Sequence, residues 1–126
     1  MKLDLLVKKS GAKGRGVFST CMIKKGQIIE ICPVIILKNK DRKFVDKTGL
    51  YSYYFWWGSS KKQTAIALGY GSLYNHSYSP NAVYSKNQKQ GIIFFKALRD
   101  VIKNEEITIN YNLDLNDESP LWFKVK

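Results

Sequence analysis

Short apolar runs broken by glycine-bearing turns recur along the chain, the punctuation of a β-rich fold. Leu3 to Lys8 predicts a first strand, Lys13-Gly14-Arg15-Gly16 a turn, and Val17-Phe18-Ser19 the strand after it. Lys24 to Gln27 makes a second turn. Ile28 to Ile31 and Val34 to Leu37 are rich in β-branched residues, and Pro33 between them marks an edge position or a break. Lys38 to Thr48 is the most polar stretch and predicts a surface loop or short helix, the natural place for substrate-specific insertions. Leu50 to Trp57 is dense in aromatics, and Thr64 to Leu68 predicts a short strand. Gly69-Tyr70-Gly71-Ser72 then begins a connection into Asn75-His76-Ser77. Gly91 to Ala97 and Glu106 to Tyr111 predict two further strands. The tail from Asn112 to Lys126 contains Pro120-Leu121-Trp122-Phe123, too apolar for a free tail and expected to fold back onto the domain.

With 126 residues, 44% of them hydrophobic and 13% aromatic, the chain is expected to be one domain with its own core, without metal or disulfide staples. Cys21 and Cys32 form no CxxC pair and His76 is the single histidine, so no metal site is expected. No apolar run of signal-peptide length follows Met1-Lys2, and Val34 to Leu37 is too short to span a bilayer. The expectation is a soluble intracellular protein, cytoplasmic or nuclear, with no membrane association. Twenty-one Lys and Arg against ten Asp and Glu give a net charge of +11, which favours nucleic acid or an acidic surface as a partner. The basic residues are scattered, however, and no nucleic-acid motif accompanies them.

Four pieces carry candidate chemistry, and each alone has an ordinary structural explanation. Lys13-Gly14-Arg15-Gly16 could be a simple hairpin turn, or a place where missing Cβ atoms let backbone groups grip a ligand. Asn75-His76-Ser77, followed by Pro80-Asn81, sets polar groups in an apolar context, where they either satisfy one another or hold a ligand. Tyr51, Tyr53, Tyr54, Phe55, Trp56 and Trp57 could be core. Glu105-Glu106-Ile107-Thr108-Ile109-Asn110-Tyr111 ends a β-type segment on a tyrosine that could serve only packing.

Taken in this order, a GRG turn, a Tyr-x-Phe segment, an Asn-His-Ser run and Glu-Glu-Ile-Thr-Ile-Asn-Tyr resemble the motif series of SET-domain protein lysine methyltransferases. Leu68-Gly69-Tyr70-Gly71-Ser72-Leu73-Tyr74-Asn75-His76-Ser77 is close to the form in small bacterial and viral members. The resemblance implies a mostly β fold of several small curved sheets with a C-terminal pseudoknot that unites Asn75 with Tyr111. It implies a single domain over 1–126, with its motif core at about 7–111 and the segment 112–126 folded onto it. S-adenosylmethionine is the implied cofactor and S-adenosylhomocysteine its product. Lys13, Gly14, Arg15, Gly16, Asn75 and His76 match the cofactor-binding positions, Tyr111 the catalytic tyrosine, and Tyr53 with Phe55 the walls of the lysine channel, with register open by a residue because Tyr51 and Tyr54 lie beside them.

Three departures accompany the match. Asn110 replaces a frequent Asp, Ile109 stands in the channel where relatives often carry Phe or Tyr, and a cysteine-rich zinc segment after the domain is missing, which leaves Trp122 and Phe123 to cover the cofactor. The implied reaction is methyl transfer to a lysine amine of a protein: a histone, a DNA-associated basic protein or another cellular protein. A catalytically silent module that binds peptide or DNA is the competing reading, and a homodimer is compatible with so small a domain.

Overall fold

The computed structural model describes residues 4–11, 14–58 and 63–112. Their strands are β1 (Leu5–Lys9), β2 (Arg15–Ser19), β3 (Ile28–Leu37), β4 (Tyr54–Trp57), β5 (Gln63–Ala67), β6 (Asn75–His76), β7 (Ala82–Asn87), β8 (Ile92–Ala97) and β9 (Glu106–Ile109). A single-turn helix α1 (Arg42–Val45) and short 3-10 turns connect them. Among the described residues the strands form a four-stranded sheet, β1-β2-β9-β6, and a five-stranded one, β4-β5-β3-β8-β7. This is the mostly β architecture of small sheets that the sequence predicts.

Several strands differ from expectation, two of them instructively. Ile28–Leu37 is one strand rather than two, because Pro33 lies where β3 changes partners: Ile28 to Pro33 pairs with β8, and Val34 to Leu37 with β5. A proline N–H would be least missed at that handover, and its carbonyl still accepts from Leu68 N–H at 2.9 Å. β7 is not foreseen in the sequence, since its second half, Ser85-Lys86-Asn87, is polar. Its pairing with β8 along Ala82 to Asn87 supplies the strand that composition does not announce.

The core lies on the inner faces of the sheets. Val17, Ile23, Cys32, Ile93, Phe95, Val101, Ile107 and Ile109 are fully excluded from solvent. Burying each of the larger aliphatic side chains contributes about 1.5–3 kcal/mol. Both cysteines are free thiols. No helix among the described residues is long and apolar enough to cross a membrane.

The position of β9 is the topological feature that builds the site. It runs antiparallel to β2, with Val17 opposite Ile107 and Phe18 opposite Glu106. Its other edge runs parallel to β6, with Asn75 opposite Thr108 and His76 opposite Ile109. Buried Asn81 extends that edge: its amide donates to the Glu106 carbonyl at 2.7 Å and its oxygen accepts from Thr108 N–H at 2.8 Å. Beyond Ile109 the ladder stops, two residues short of the predicted end. The Tyr111 N–H turns instead to His76 Nδ1 at 3.0 Å, which takes the chain out of strand geometry.

Two stability measurements check this account. Asn81→Ala leaves two buried backbone groups of β9 without partners and should cost about 2–4 kcal/mol in chemical denaturation. The second concerns pH. Burial and the neighbouring Glu30 push the Cys32 thiol up from 9.0 to about 12, and burial with the bond to Asp46 raises Tyr54 from 10.0 to about 12. Burial raises Tyr74 and Tyr84 as well. Because the native state holds these protons more tightly than the unfolded chain, their contribution is complete below the ordinary values and is lost as pH rises. The melting temperature should hold steady up to about pH 9 and fall between there and about pH 12.

Candidate active site

The β1–β2 hairpin brings its turn against β6 and β9. Gly14 has φ +79°, and a Cβ placed there would meet nothing within 4 Å, so glycine serves the left-handed backbone. Gly16 is constrained differently: a Cβ there would lie 2.4 Å from Glu106 Oε2 and 2.9 Å from Asn75 Nδ2. The turn has one glycine for conformation and one for close approach. Gly14 and Arg15 are exposed, whereas Gly16 is buried, and the Gly14 carbonyl accepts from Ser10 N–H at 2.6 Å.

Asn75 is the link between the motifs. Its Nδ2 donates to the Arg15 carbonyl at 2.9 Å and to Glu106 Oε2 at 2.7 Å, while Glu106 Oε1 accepts from Ser10 Oγ at 2.6 Å. One amide thus ties the glycine turn to the start of β9. The carboxylate beneath it places a negative charge at a site predicted to take a cationic cofactor.

The catalytic candidate, Tyr111, lies beyond this network. Its hydroxyl donates to the Tyr74 carbonyl at 2.5 Å, its own carbonyl accepts from Tyr84 Oη at 2.9 Å, and its ring is centred 5.2 Å from that of His76. His76 is buried and accepts the Tyr111 N–H, so it acts as a ring and an acceptor around the tyrosine. Burial raises the Tyr111 hydroxyl well above the ordinary phenol value, with Tyr53, Tyr84 and Glu106 adding to the shift. Near neutral pH it is therefore a neutral hydroxyl. Among the described residues no group of three or more His, Cys, Asp or Glu side chains could hold a metal ion.

The aromatic segment resolves into two sides. Tyr54 Oη bonds Asp46 at 2.9 Å, away from the site, whereas Tyr53 is close enough to Tyr111 to disfavour its ionisation. Phe55 is buried against Tyr84, with ring centroids 5.0 Å apart. Phe55 therefore reaches Tyr111 through Tyr84, whose hydroxyl donates to the Tyr111 carbonyl. Ile109 lies deep in the fold, shortly before Tyr111 in sequence. It is fully buried, because strand alternation in β9 sends Ile107 and Ile109 inward. Lys13 and Trp122, with Phe123, lie outside the described residues.

Sequence reasoning assigned no role to three residues that hold this arrangement. Glu106 had a readable signal: alternation places it opposite the inward Ile107 and level with the hairpin. Tyr74 and Glu30 had none, since Tyr74 acts through its main chain and the carboxylate that binds its hydroxyl lies on a distant strand.

Comparisons with known proteins agree with this geometry. The SET domain family matches residues 14–112. An H3 lysine-37-specific histone-lysine N-methyltransferase of Schizosaccharomyces pombe is 32% identical over 125 residues, covering 98% of this chain and 80% of that protein. Histone-lysine N-methyltransferase 2B of Homo sapiens is 32% identical over 122 residues, and the match covers 90% of this chain but 4% of that protein. A crystal structure of a Plasmodium falciparum protein assigned as a histone methyltransferase superposes with a TM-score of 0.72 at 33% identity, covering 98% of this chain and all of that one. The Chaetomium thermophilum Polycomb Repressive Complex 2 bound to S-adenosylmethionine shares the fold, with a TM-score of 0.73 at 18% identity over 88% of this chain and 15% of that one. The chain belongs to the SET domain family of lysine methyltransferases.

Proposed function

We propose that this protein transfers a methyl group from S-adenosylmethionine to the side-chain amine of a lysine in a basic, DNA-associated protein, of which a histone is the leading candidate. The observation that carries the reading is the convergence, through Asn75, of the exposed glycine turn, the Glu106 carboxylate and the segment ending in Tyr111. The cofactor's groups fit the donors present. The exposed Gly14 and Arg15 border its amino-acid part, Asn75 spends its N–H groups inside the fold and has a carbonyl oxygen to offer an ammonium, and Glu106 supplies compensating charge.

When bound, S-adenosylmethionine supplies an electrophilic methyl on a sulfonium. The chain's own task is alignment and exclusion of water, since displacement by an amine needs no covalent help from the protein. Tyr111 has its hydroxyl hydrogen engaged by the Tyr74 carbonyl, so it meets an amine or methyl with its oxygen lone pairs, as an acceptor. A hydroxyl with a raised pKa is a poor base, so the role is orientation. The aromatic surroundings of Tyr53 and Phe55 disfavour a charged lysine and favour the neutral nucleophile, whose proton leaves to solvent.

The histone reading rests on the relatives named above together with charge. An enzyme of net charge +11 repels a basic tail in isolation, and DNA attracts both. Nuclear localisation and association with DNA belong to the same proposal.

Isothermal titration of S-adenosylmethionine, followed by radiolabelled transfer to free histones and to nucleosomes, tests it. Wild type should bind, and Asn75→Ala should bind at least about tenfold more weakly, because the Arg15 carbonyl and Glu106 lose their shared donor. Tyr111→Phe should bind normally and turn over roughly 10- to 100-fold more slowly. Nucleosomes should outperform free histones at low salt, with the advantage fading as salt rises. A wild type that takes up no cofactor would replace this reading with that of a silent binding module.

A further inference from the structure

The Tyr111 hydroxyl is aimed by a main-chain carbonyl, that of Tyr74, so whatever fixes Tyr74 fixes the reacting geometry. Tyr74 is almost fully buried, its ring packs on Phe95 with centroids 4.5 Å apart, and its hydroxyl donates to Glu30 Oε1 at 2.7 Å. The second carboxylate oxygen, Glu30 Oε2, accepts from Tyr70 N–H at 3.0 Å, and a Cβ at Gly69 would lie 2.5 Å from it. One carboxylate therefore holds both ends of the connection that delivers Asn75.

We propose that Glu30 is a positioning residue for methyl transfer, acting through the Tyr74 side chain to set the carbonyl that orients the Tyr111 hydroxyl. The proposal rests on the methyltransferase reading and extends it to a residue outside all four motifs.

The backbone of β3 is shaped for this task. Ile28 faces outward opposite Lys96, and strict alternation would send Glu30 outward as well. A bulge between Ile28 and Glu30 shifts the register so that Glu30 lies opposite the buried Phe95. A half-buried carboxylate beside Phe95 and Cys32 is a poor choice for packing alone, since apolar groups of similar shape would fill the space without the desolvation cost. What the carboxylate adds is direction: two acceptors at fixed angles, one for a side chain and one for a backbone N–H.

Tyr111 cannot compensate if this hold is lost. Its N–H is committed to His76 and its carbonyl to Tyr84, so its main chain stays in place while the Tyr74 carbonyl drifts from the hydroxyl. The loss should fall on turnover more than on affinity for cofactor or peptide, because the contacts of Asn75 with Arg15 and Glu106 do not pass through Glu30.

The test combines Tyr74→Phe, Glu30→Gln and Tyr111→Phe, singly and as the Tyr74→Phe/Tyr111→Phe pair, assayed well below each melting temperature. Tyr74→Phe should lower kcat about tenfold and leave both KM values within about twofold. Glu30→Gln, which retains one acceptor, should fall between Tyr74→Phe and wild type. In the Tyr111→Phe background, Tyr74→Phe should cost nothing further, since the group it positions is gone. Amide exchange across Gly71 to His76 should quicken about tenfold in Tyr74→Phe without change in the remaining strands. Unchanged kcat in Tyr74→Phe, or losses that multiply in the double variant, would overturn the proposal. An inactive wild type would sink the methyltransferase reading instead, and unchanged amide exchange would then dispose of the hold attributed to Glu30.

Discussion

Everything at the site depends on a short strand with partners on both edges. β9 takes the N-terminal hairpin on one side and Asn75-His76 on the other, and its last ladder carbonyl, at Ile109, accepts from Ser77 N–H at 2.9 Å. Where the ladder runs out, the chain turns by binding a side chain, and that turn delivers Tyr111. The site is the place where regular pairing ends, bordered by residues such as Tyr111, whose N–H and carbonyl are both engaged.

The acidic residues show the same economy. Glu106 joins Ser10 and Asn75, Glu30 joins Tyr74 and Tyr70, Asp46 binds Tyr54, and Glu105 pairs with Arg99 at 2.6 Å. In a chain with a +11 excess of positive charge, most carboxylates among the described residues are thus engaged in fixing its architecture, and many described lysines are exposed. The net charge of the surface is accordingly positive. Partner choice by charge and assembly of the site draw on separate sets of residues.

Much of this was legible in the sequence, and the illegible part has definite causes. The glycine turn, Asn75, His76 and Tyr111 could be read because they occupy fixed positions in a motif order, and the β-rich class followed from apolar runs between turns. Pro33 misled because a proline in a strand signals interruption, whereas here one strand changes partners at that residue. β7 was hidden because its polar end is strand only through pairing with β8. Glu30 was invisible for the deepest reason: a bulge, which no periodicity records, decides which face it occupies.

The pairing of β9 also bears on how the protein comes into being. Ser10 and Glu106 touch across a separation of 96 residues, and no shorter contact can stand in for that link. Loop closure on this scale is entropically expensive and slow relative to local pairing. A nascent chain emerging from the ribosome can form its hairpins early, yet it has no methyl-transfer site until nearly the last residue of the motif core has been synthesised. Competence arrives in one step once β9 and Tyr111 have joined the hairpin, so a chain that stops short of them is an inert protein rather than a weak enzyme.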